Sequence, residues 1–199
     1  MTDQQLAIAA KGGSREAFGE LAARFQPRLL NYLRHHCPTR NVAEDAIQEA
    51  FLAAYQAIQR FDPRWQISTW LFTIARRKAG KLSQREAKAS ASAEAESPVD
   101  GSRSAEQLAT DRETRARIWL IARRELSQDQ FTALWMYYVE GLDARQTALV
   151  LNKTYASARA ILARARHNMR SHLRAWQNSD SPAEINLPAS NSAPVRFAA

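Results

Sequence analysis

Apolar residues recur at the period of an α-helix along most of this chain, and this pattern constrains the fold more than any other feature. Within residues 41–85, one stripe repeats every three or four positions: Ile47, Phe51, Ala54 and Ile58. A second stripe follows the short loop FDPRWQ: Trp70, Leu71, Ile74, Ala75 and Leu82. Because one-sided apolar stripes of this period are typical of amphipathic helices, the sequence predicts an all-α fold.

Capping residues predict where the helices begin. Three pairs have the spacing of a capping box, in which two side chains bond each other's backbone amides: Asn41 with Glu44, Ser127 with Gln130, and Asp143 with Gln146. Other predicted caps are Ser14, Ser68 or Thr69, and Thr154. Pro27 removes an amide donor inside the helix after Ser14, so we expect it to kink or split that helix.

One segment interrupts the helical pattern and divides the chain. Residues 86–112 are rich in Ser and Ala and contain no aromatic residue. Such a composition buries too little apolar surface to fold alone, so it predicts a flexible linker between two small helical domains, residues 1–85 and 113–176. Residues 177–199 are polar and hold three prolines, which predicts a disordered tail.

The charge balance indicates a polyanionic partner. Lys and Arg number 28 against 20 Asp and Glu, a formal net charge of +8, and the excess is concentrated in residues 76–85 and 159–174. Nucleic acid is the partner that such clustered positive charge favours. The single cysteine, Cys37, excludes an intramolecular disulfide and indicates a reducing compartment. With no apolar run of about 18 residues and no signal peptide, we expect a cytoplasmic protein without membrane insertion.

The first helix of residues 41–85 has a second face of unusual chemistry. It carries acidic and amide side chains and one leucine at helical spacing: Asp45, Gln48, Glu49 and Leu52. The leucine has no evident core to enter. Two interpretations stay open, a solvated face with one stray apolar residue and a docking surface for a partner.

The second helix combines aromatic rings with cations. Arg76, Arg77, Lys78, Lys81 and Arg85 crowd its C-terminal half, and Arg64, Trp65 and Phe72 are near them in sequence. This combination suits unpaired nucleic acid, whose bases stack on rings while cations follow the phosphates. The alternative is that the rings belong to the core and that the cations favour the helix C-terminus.

The second domain has the pattern of a helix-turn-helix. A short helix, ARQTALVL, is followed by Asn152, which tolerates the left-handed turn conformation, and then by a long final helix. That helix is predicted to bury Ala158, Leu162, Ala165 and Met169. Small and basic residues lie on the opposite side, where they suit contact with a DNA groove: Arg159, Ala160, Ala163, His167 and Arg170.

Signatures of catalysis and metal binding are missing from the sequence. It contains no HExxH or GxxxxGK[ST] motif. His35, His36 and Cys37 are adjacent, so on a helix they point to different sides, and no second cluster could complete a metal shell. We therefore expect no enzyme activity, no metal and no cofactor.

Four stretches, in order, resemble bacterial sigma-70 family RNA polymerase sigma factors of the extracytoplasmic-function (group 4) type. GSREAFGELAARFQPRLLNYL resembles the start of that family's region 2, and AEDAIQEAFLAAYQAI is similar to its polymerase-binding helix. The pattern F-x(6)-STWLFTIARRKA is similar to its promoter-melting helix, and YVEGLDARQTALVLNKTYASARAILARAR to its region 4 helix-turn-helix. Lys81, where the family usually has an acid, and Asn152, in place of the usual turn glycine, depart from these patterns.

The resemblance implies an alternative sigma factor whose partners are core RNA polymerase, through its clamp helices and flap, and promoter DNA. The positions it implies for polymerase binding are Asp45, Gln48, Glu49 and Leu52. Those for the −10 element are Arg64, Trp65, Phe72, Arg76, Arg77 and Lys81. Those in or beside the helix that reads the −35 element are Tyr155, Ser157, Arg159, Ala160, Arg164 and Arg166. Regulation by an anti-sigma factor, a kinase or the tail stays open, and a conventional helix-turn-helix transcriptional regulator is the alternative.

Overall fold

The computed structural model describes residues 1–90 and 108–180, and within these ranges the chain forms eight α-helices, one 3₁₀ turn and no strand. The helices divide into two compact units, one on each side of residues 91–107. The all-α prediction is confirmed. None of the described helices is both long and apolar enough to cross a lipid bilayer.

Unit 1 contains four helices and the 3₁₀ turn: α1 (Asp3–Lys11), α2 (Arg15–His36), α3 (Arg40–Ala57), the turn Ile58–Arg60, and α4 (Ile67–Ser90). Helices α2, α3 and α4 pack against one another, and α1 packs on α2 and on the 3₁₀ turn. The largest fully buried rings of this unit are Phe25, Tyr32, Phe61 and Phe72. Burial of each such ring contributes roughly 2–3 kcal/mol, so these four rings fix how the helices pack.

Two predicted helix starts in unit 1 are wrong. Thr39, not Asn41, caps α3, and its hydroxyl accepts from the Val42 amide at 3.3 Å. Glu44 instead binds Arg40 one turn before it, at 2.6 Å. Helix α4 begins at Ile67, before both Ser68 and Thr69. Those two side chains are buried in its first turn.

Pro27 does not split the helix that contains it, because α2 continues from Arg15 to His36. Pro27 is exposed, and so is Ala23, whose carbonyl loses its helical donor to the proline ring. That carbonyl can bond water on the outer side of the helix. The predicted start at Ser14 and end at Cys37 are confirmed: the Ser14 hydroxyl accepts from the Ala17 amide, and Cys37 is the C-terminal cap.

Unit 2 contains α5 (Leu108–Glu125), α6 (Gln128–Tyr138), α7 (Ala144–Leu151) and α8 (Tyr155–Asp180). Helix α8 packs against the other three. An aromatic cluster fills the space between α5 and α6, with the Trp119 and Trp135 ring centroids 4.7 Å apart and Phe131 beside both. This cluster gives unit 2 a core of its own.

The turn signals of unit 2 are confirmed. Both predicted capping boxes form, Ser127 with Gln130 before α6 and Asp143 with Gln146 before α7. Asn152 adopts the left-handed conformation, with φ 54° and ψ 48°. The arrangement of α7, Asn152 and α8 is therefore a helix-turn-helix.

The helices extend further than the predicted domain boundaries. Helix α4 continues to Ser90, and α5 already begins at Leu108, so both ends of the predicted linker, residues 86–112, are helical. Helix α8 likewise continues to Asp180, into the predicted tail of residues 177–199. The rest of the linker and of the tail lies outside the described residues.

Candidate protein and nucleic-acid interfaces

The second face of α3 lies in solvent. Asp45 and Gln48 are exposed, and Leu52 is 59% exposed, which is unusual for a leucine in a helix that also has a buried face. One turn further, Tyr55 is 44% exposed, and its ring meets Phe18 edge-on at 5.0 Å. An apolar side chain held in water among acidic and amide groups suits contact with a partner protein.

Glu49 differs from its three neighbours on that face because it forms an ion pair within the unit. Its Oε2 lies 2.9 Å from Nζ of Lys78 on α4. The hydrogen bond from Lys78, with added attraction from Lys81 and Arg85, lowers the pKa of the Glu49 carboxyl. The pair joins the acidic face of α3 to the basic half of α4. Lys78, named from the sequence only as one of the cations of this helix, thus has a specific partner in the structure.

Helix α4 separates its core residues from its cations. Leu71, Phe72, Ala75 and Ala79 are buried. Arg77, Lys81 and Arg85 are exposed, and Arg76 is half-buried. The exposed cations form a basic face on the C-terminal half of the helix, as the sequence predicts.

The loop between the 3₁₀ turn and α4 presents a ring and a cation together. Trp65 is 48% exposed, and the Arg64 side chain is 87% exposed. Asp62 fixes the N-terminal half of the loop. Its carboxylate accepts a hydrogen bond from the Arg64 backbone amide at 3.0 Å and one from the Arg64 guanidinium at 2.6 Å. These bonds, the side-chain bond first, lower the pKa of Asp62 to about 2.

Phe72, predicted to capture an unstacked base, is a core residue instead. Its side chain is 0% exposed, and its ring packs edge-on against Tyr32 with centroids 5.6 Å apart. A base cannot stack on a ring that is covered on all sides, so the structure contradicts this assignment. Trp70 is half-buried against Phe61, which leaves Trp65 as the exposed ring of this loop.

The outer face of α8 carries most of the predicted −35 residues. Tyr155, Ser157, Arg159, Ala160 and Arg164 are all exposed, whereas Ala158, Leu162, Ala165 and Met169 are buried as predicted. Thr154 caps the helix, with its hydroxyl 3.2 Å from the Ser157 amide and 2.9 Å from the Ser157 hydroxyl. The helix therefore presents small and basic groups across a broad outer face.

Tyr155 lies between two arginines, one of which the sequence did not single out. The guanidinium carbons of Arg145 and Arg159 lie 5.8 and 5.7 Å from the centre of its ring. Arg159 is one turn along α8, but Arg145 comes from α7. Only the geometry of the turn at Asn152 brings α7 to this ring. The three side chains make one cationic surface across both helices of the motif.

Arg166 is placed differently from the other predicted −35 residues. It is half-buried, its Nε donates to the Tyr138 hydroxyl at 3.0 Å, and its guanidinium lies 4.6 Å from the centre of the Tyr137 ring. These contacts join α8 to α6. Arg166 therefore stabilises the position of the helix that carries this outer face.

Within residues 1–90 and 108–180, no group of three or more His, Cys, Asp or Glu side chains lies close enough to hold a metal ion. His36 and Cys37 are buried at the end of α2. The Cys37 thiol is not part of a disulfide.

Comparisons with known proteins agree with this geometry. Residues 21–88 match the family Sigma-70 region 2, and residues 122–169 match the family Sigma-70, region 4. The first match lies within unit 1 and the second within unit 2, and together they cover more than half of the chain. The chain belongs to the sigma-70 family.

Individual relatives match to different extents. The RNA polymerase sigma-H factor of Pseudomonas aeruginosa is 27% identical over 173 residues, which is 82% of this chain and 90% of that protein. The ECF RNA polymerase sigma-E factor of Haemophilus influenzae is 35% identical over 75 residues, 38% of this chain and 39% of the relative. The chain thus spans about two fifths of the length of that relative.

A solved structure shares the fold. It is the sigma factor RpoE in complex with the anti-sigma factor NepR from Bartonella quintana, with a TM-score of 0.67 and 18% identity. The match covers 79% of this chain and 96% of that one.

Proposed function

We propose that this protein is an alternative sigma factor, which binds core RNA polymerase and directs transcription from specific promoters. In this proposal unit 1 acts as region 2, docking on the polymerase and opening the −10 element. Unit 2 acts as region 4 and reads the −35 element. The observation that carries the proposal is the Glu49–Lys78 pair, because it fixes an exposed docking face and an exposed basic face to each other within one unit.

The docking face of α3 is assigned to the polymerase clamp helices. Asp45, Gln48 and Leu52 are the contact residues that their exposure supports. Glu49 has a second task, since its carboxylate also orients Lys78. A buried apolar anchor surrounded by polar groups is the usual anatomy of a tight interface, and Leu52 is the anchor here.

The loop and the basic half of α4 are assigned to the −10 element. Trp65 supplies the stacking surface for an unpaired base, while Arg64, Arg76, Arg77 and Lys81 supply positive charge for the backbone. Phe72 supports this surface from inside the core. A site of this kind binds only the separated strand. Its binding therefore shifts the equilibrium of the duplex toward the open state.

The outer face of α8 is assigned to the −35 element, through Tyr155, Ser157, Arg159, Ala160 and Arg164. Side chains of a recognition helix reach base edges in the major groove, and flanking cations bind phosphates. Arg145 joins this set through its place beside Tyr155. Arg166 acts by holding α8 on α6.

The biological setting follows from this function. A sigma factor works without catalysis or a cofactor of its own, in the cytoplasm, where its partners are core polymerase and promoter DNA. The Bartonella quintana structure pairs a sigma factor with an anti-sigma factor, and we infer that an inhibitory protein of this kind is a candidate regulator of this chain.

The experiment that tests the function is run-off transcription with core polymerase on a promoter library, with and without this protein. A promoter-specific transcript that depends on the protein is expected, and its absence would reject the proposal. A gel shift with the protein alone tests the conventional-regulator alternative, because such a regulator binds its duplex site tightly without polymerase.

The docking assignment has its own matched pair of variants. Leu52→Ala is expected to weaken polymerase binding at least tenfold, as loss of a central apolar anchor typically costs about 2 kcal/mol. Ile8→Ala is the control, since Ile8 is 50% exposed in the same unit but lies on α1, outside the docking face. Equal affinities of the two variants would show that Leu52 is merely a solvated residue.

A further inference from the structure

Helix α1 is hydrogen-bonded to the loop that carries Arg64 and Trp65. The helix and the loop are about sixty residues apart in sequence. The side-chain nitrogen of Gln4 donates to two loop carbonyls, those of Pro63 at 2.6 Å and Trp65 at 2.9 Å. The side-chain oxygen of the same residue accepts from the Ile67 amide at 3.3 Å, where α4 begins. One glutamine thus binds the backbone at three points across five residues.

A second bond ties the other end of the loop to the same helix. Lys11, in the last turn of α1, donates from Nζ to the Phe61 carbonyl at 2.7 Å. Helix α1 is itself well fixed, with Leu6, Ala7 and Ala10 buried beneath it. The loop therefore rests on a rigid support.

The loop's own bonds close a turn between Asp62 and Trp65. Asp62 bonds Arg64, and the Trp65 amide donates to the Asp62 carbonyl at 3.0 Å, which closes a tight turn. Gln66 makes long bonds with the first turn of α4, and the two bonds of Gln4 connect the turn itself to the start of that helix. Because a backbone carbonyl is a fixed point of the chain, they set the direction in which Trp65 leaves the backbone.

We propose that Gln4 is a positioning residue for base capture, holding Trp65 in its binding orientation before DNA arrives. The inference rests on the proposed function of the loop. A ring that is already oriented binds more tightly than one that must be ordered on binding, because the entropy cost of ordering is not added to the binding step. Gln4 touches no base in this scheme.

If Gln4 only stabilised the fold, Gln4→Ala would lower the melting temperature. Two of its three bonds lie at the exposed surface, where a hydrogen bond adds little to the stability of the fold because water replaces it readily. The third, from the Ile67 amide, is partly buried and long at 3.3 Å. Alanine is also the best helix former, so Gln4→Ala does not weaken α1. The effect should therefore fall on the binding of unpaired DNA and spare the melting temperature.

The test compares Gln4→Ala with Gln5→Ala in the full chain assembled with core polymerase. Gln5 is the matched control, because its side chain bonds only the start of its own helix, at Thr2. The probe is a promoter recovered from the run-off selection, used as duplex and as its single non-template strand. Gln4→Ala is expected to weaken strand binding about tenfold, equivalent to 1.4 kcal/mol, while Gln5→Ala behaves as the wild type.

Two further measurements separate positioning from loss of fold. In Gln4→Ala the Ile67 amide should exchange its hydrogen faster, since its acceptor is gone, while the melting temperature and polymerase affinity stay at wild-type values. In a Trp65→Ala background, Gln4→Ala should have no further effect, because nothing is left to orient.

The outcomes distinguish this inference from the proposed function. If the wild-type holoenzyme opens no promoter, the function and the inference both fail. If Trp65→Ala binds the strand as the wild type does, the assigned role of the loop fails, and the positioning of Trp65 with it. Two outcomes would overturn only the positioning role. In the first, Trp65→Ala weakens strand binding while Gln4→Ala does not. In the second, Gln4→Ala still lowers the affinity for the strand tenfold in the Trp65→Ala background.

Discussion

Exchange of the charges at Glu49 and Lys78 tests whether this pair joins the two faces of unit 1. Glu49→Lys places a cation among Lys78, Lys81 and Arg85, the groups that now attract the carboxylate. Lys78→Glu opposes two carboxylates at a separation of about 3 Å. The double exchange restores one charge of each sign at the same two positions.

The size of the effect follows from distance and exposure. At 2.9 Å and an effective dielectric constant of about 20, the gross attraction is about 6 kcal/mol. The two side chains are 31% and 40% exposed, so solvent screening, desolvation and side-chain ordering leave a net coupling of about 0.5–1 kcal/mol. Each single reversal should lower the free energy of unfolding by about that amount, and the double exchange should recover most of it.

Urea unfolding of the wild type, the two single variants and the double variant gives the coupling energy directly. Asp45→Lys is the control, because Asp45 is exposed on the same helix and should change stability little. A coupling energy within about 0.2 kcal/mol of zero would refute the pairing. If the double exchange restores stability but not polymerase affinity, Glu49 also contacts the polymerase.

Three further predictions concern the core of unit 1, the loop before α4 and the turn of unit 2. Phe72→Ala should lower the free energy of unfolding by about 3–5 kcal/mol through the cavity it leaves. Trp65→Ala, at an exposed ring, should change it by less than about 0.5 kcal/mol. Similar losses for both variants in urea unfolding would contradict the assignment of Phe72 to the core. The Asp62 carboxyl should titrate in NMR near pH 2 rather than at its ordinary 3.8. Its bonds to Arg64 therefore stabilise the loop fully above pH 3.8 and are lost as the pH falls through about 2; an ordinary midpoint would show that they are absent. Asn152→Ala should cost about 1–2 kcal/mol at its φ of 54°, while Asn152→Gly should stay within about 0.5 kcal/mol of the wild type, and equal thermal stabilities would contradict the left-handed turn.

Local signals made the second unit largely predictable. Both capping boxes, the left-handed Asn152 and the buried face of α8 depend on residues within one or two turns of each other. The start of α3 was mispredicted because both Thr39 and Asn41 can cap a helix, and the sequence pattern does not distinguish them.

The candidate sites were predictable only where exposure followed from helical spacing. Spacing separates the two faces of α3 correctly, but it cannot show that Phe72 is covered by Tyr32 from another helix. Contacts between distant segments had no signal in the sequence. They include Arg145 beside Tyr155, and Gln4 on the loop before α4. Each depends on how separate helices come together in the fold.

The division of α4 into a buried and a basic face has a consequence for how this helix can change. Each residue turns an α-helix by about 100°, so the direction of every exposed cation is set by its distance in sequence from the buried Phe72. Substitution of Lys81 changes one contact and leaves the rest in place. Insertion of a single residue between Ala75 and Ala79 would turn every later cation by more than a quarter of a circle. The identity of the cations on this helix can therefore vary, but the number of residues between the buried positions and the cations cannot.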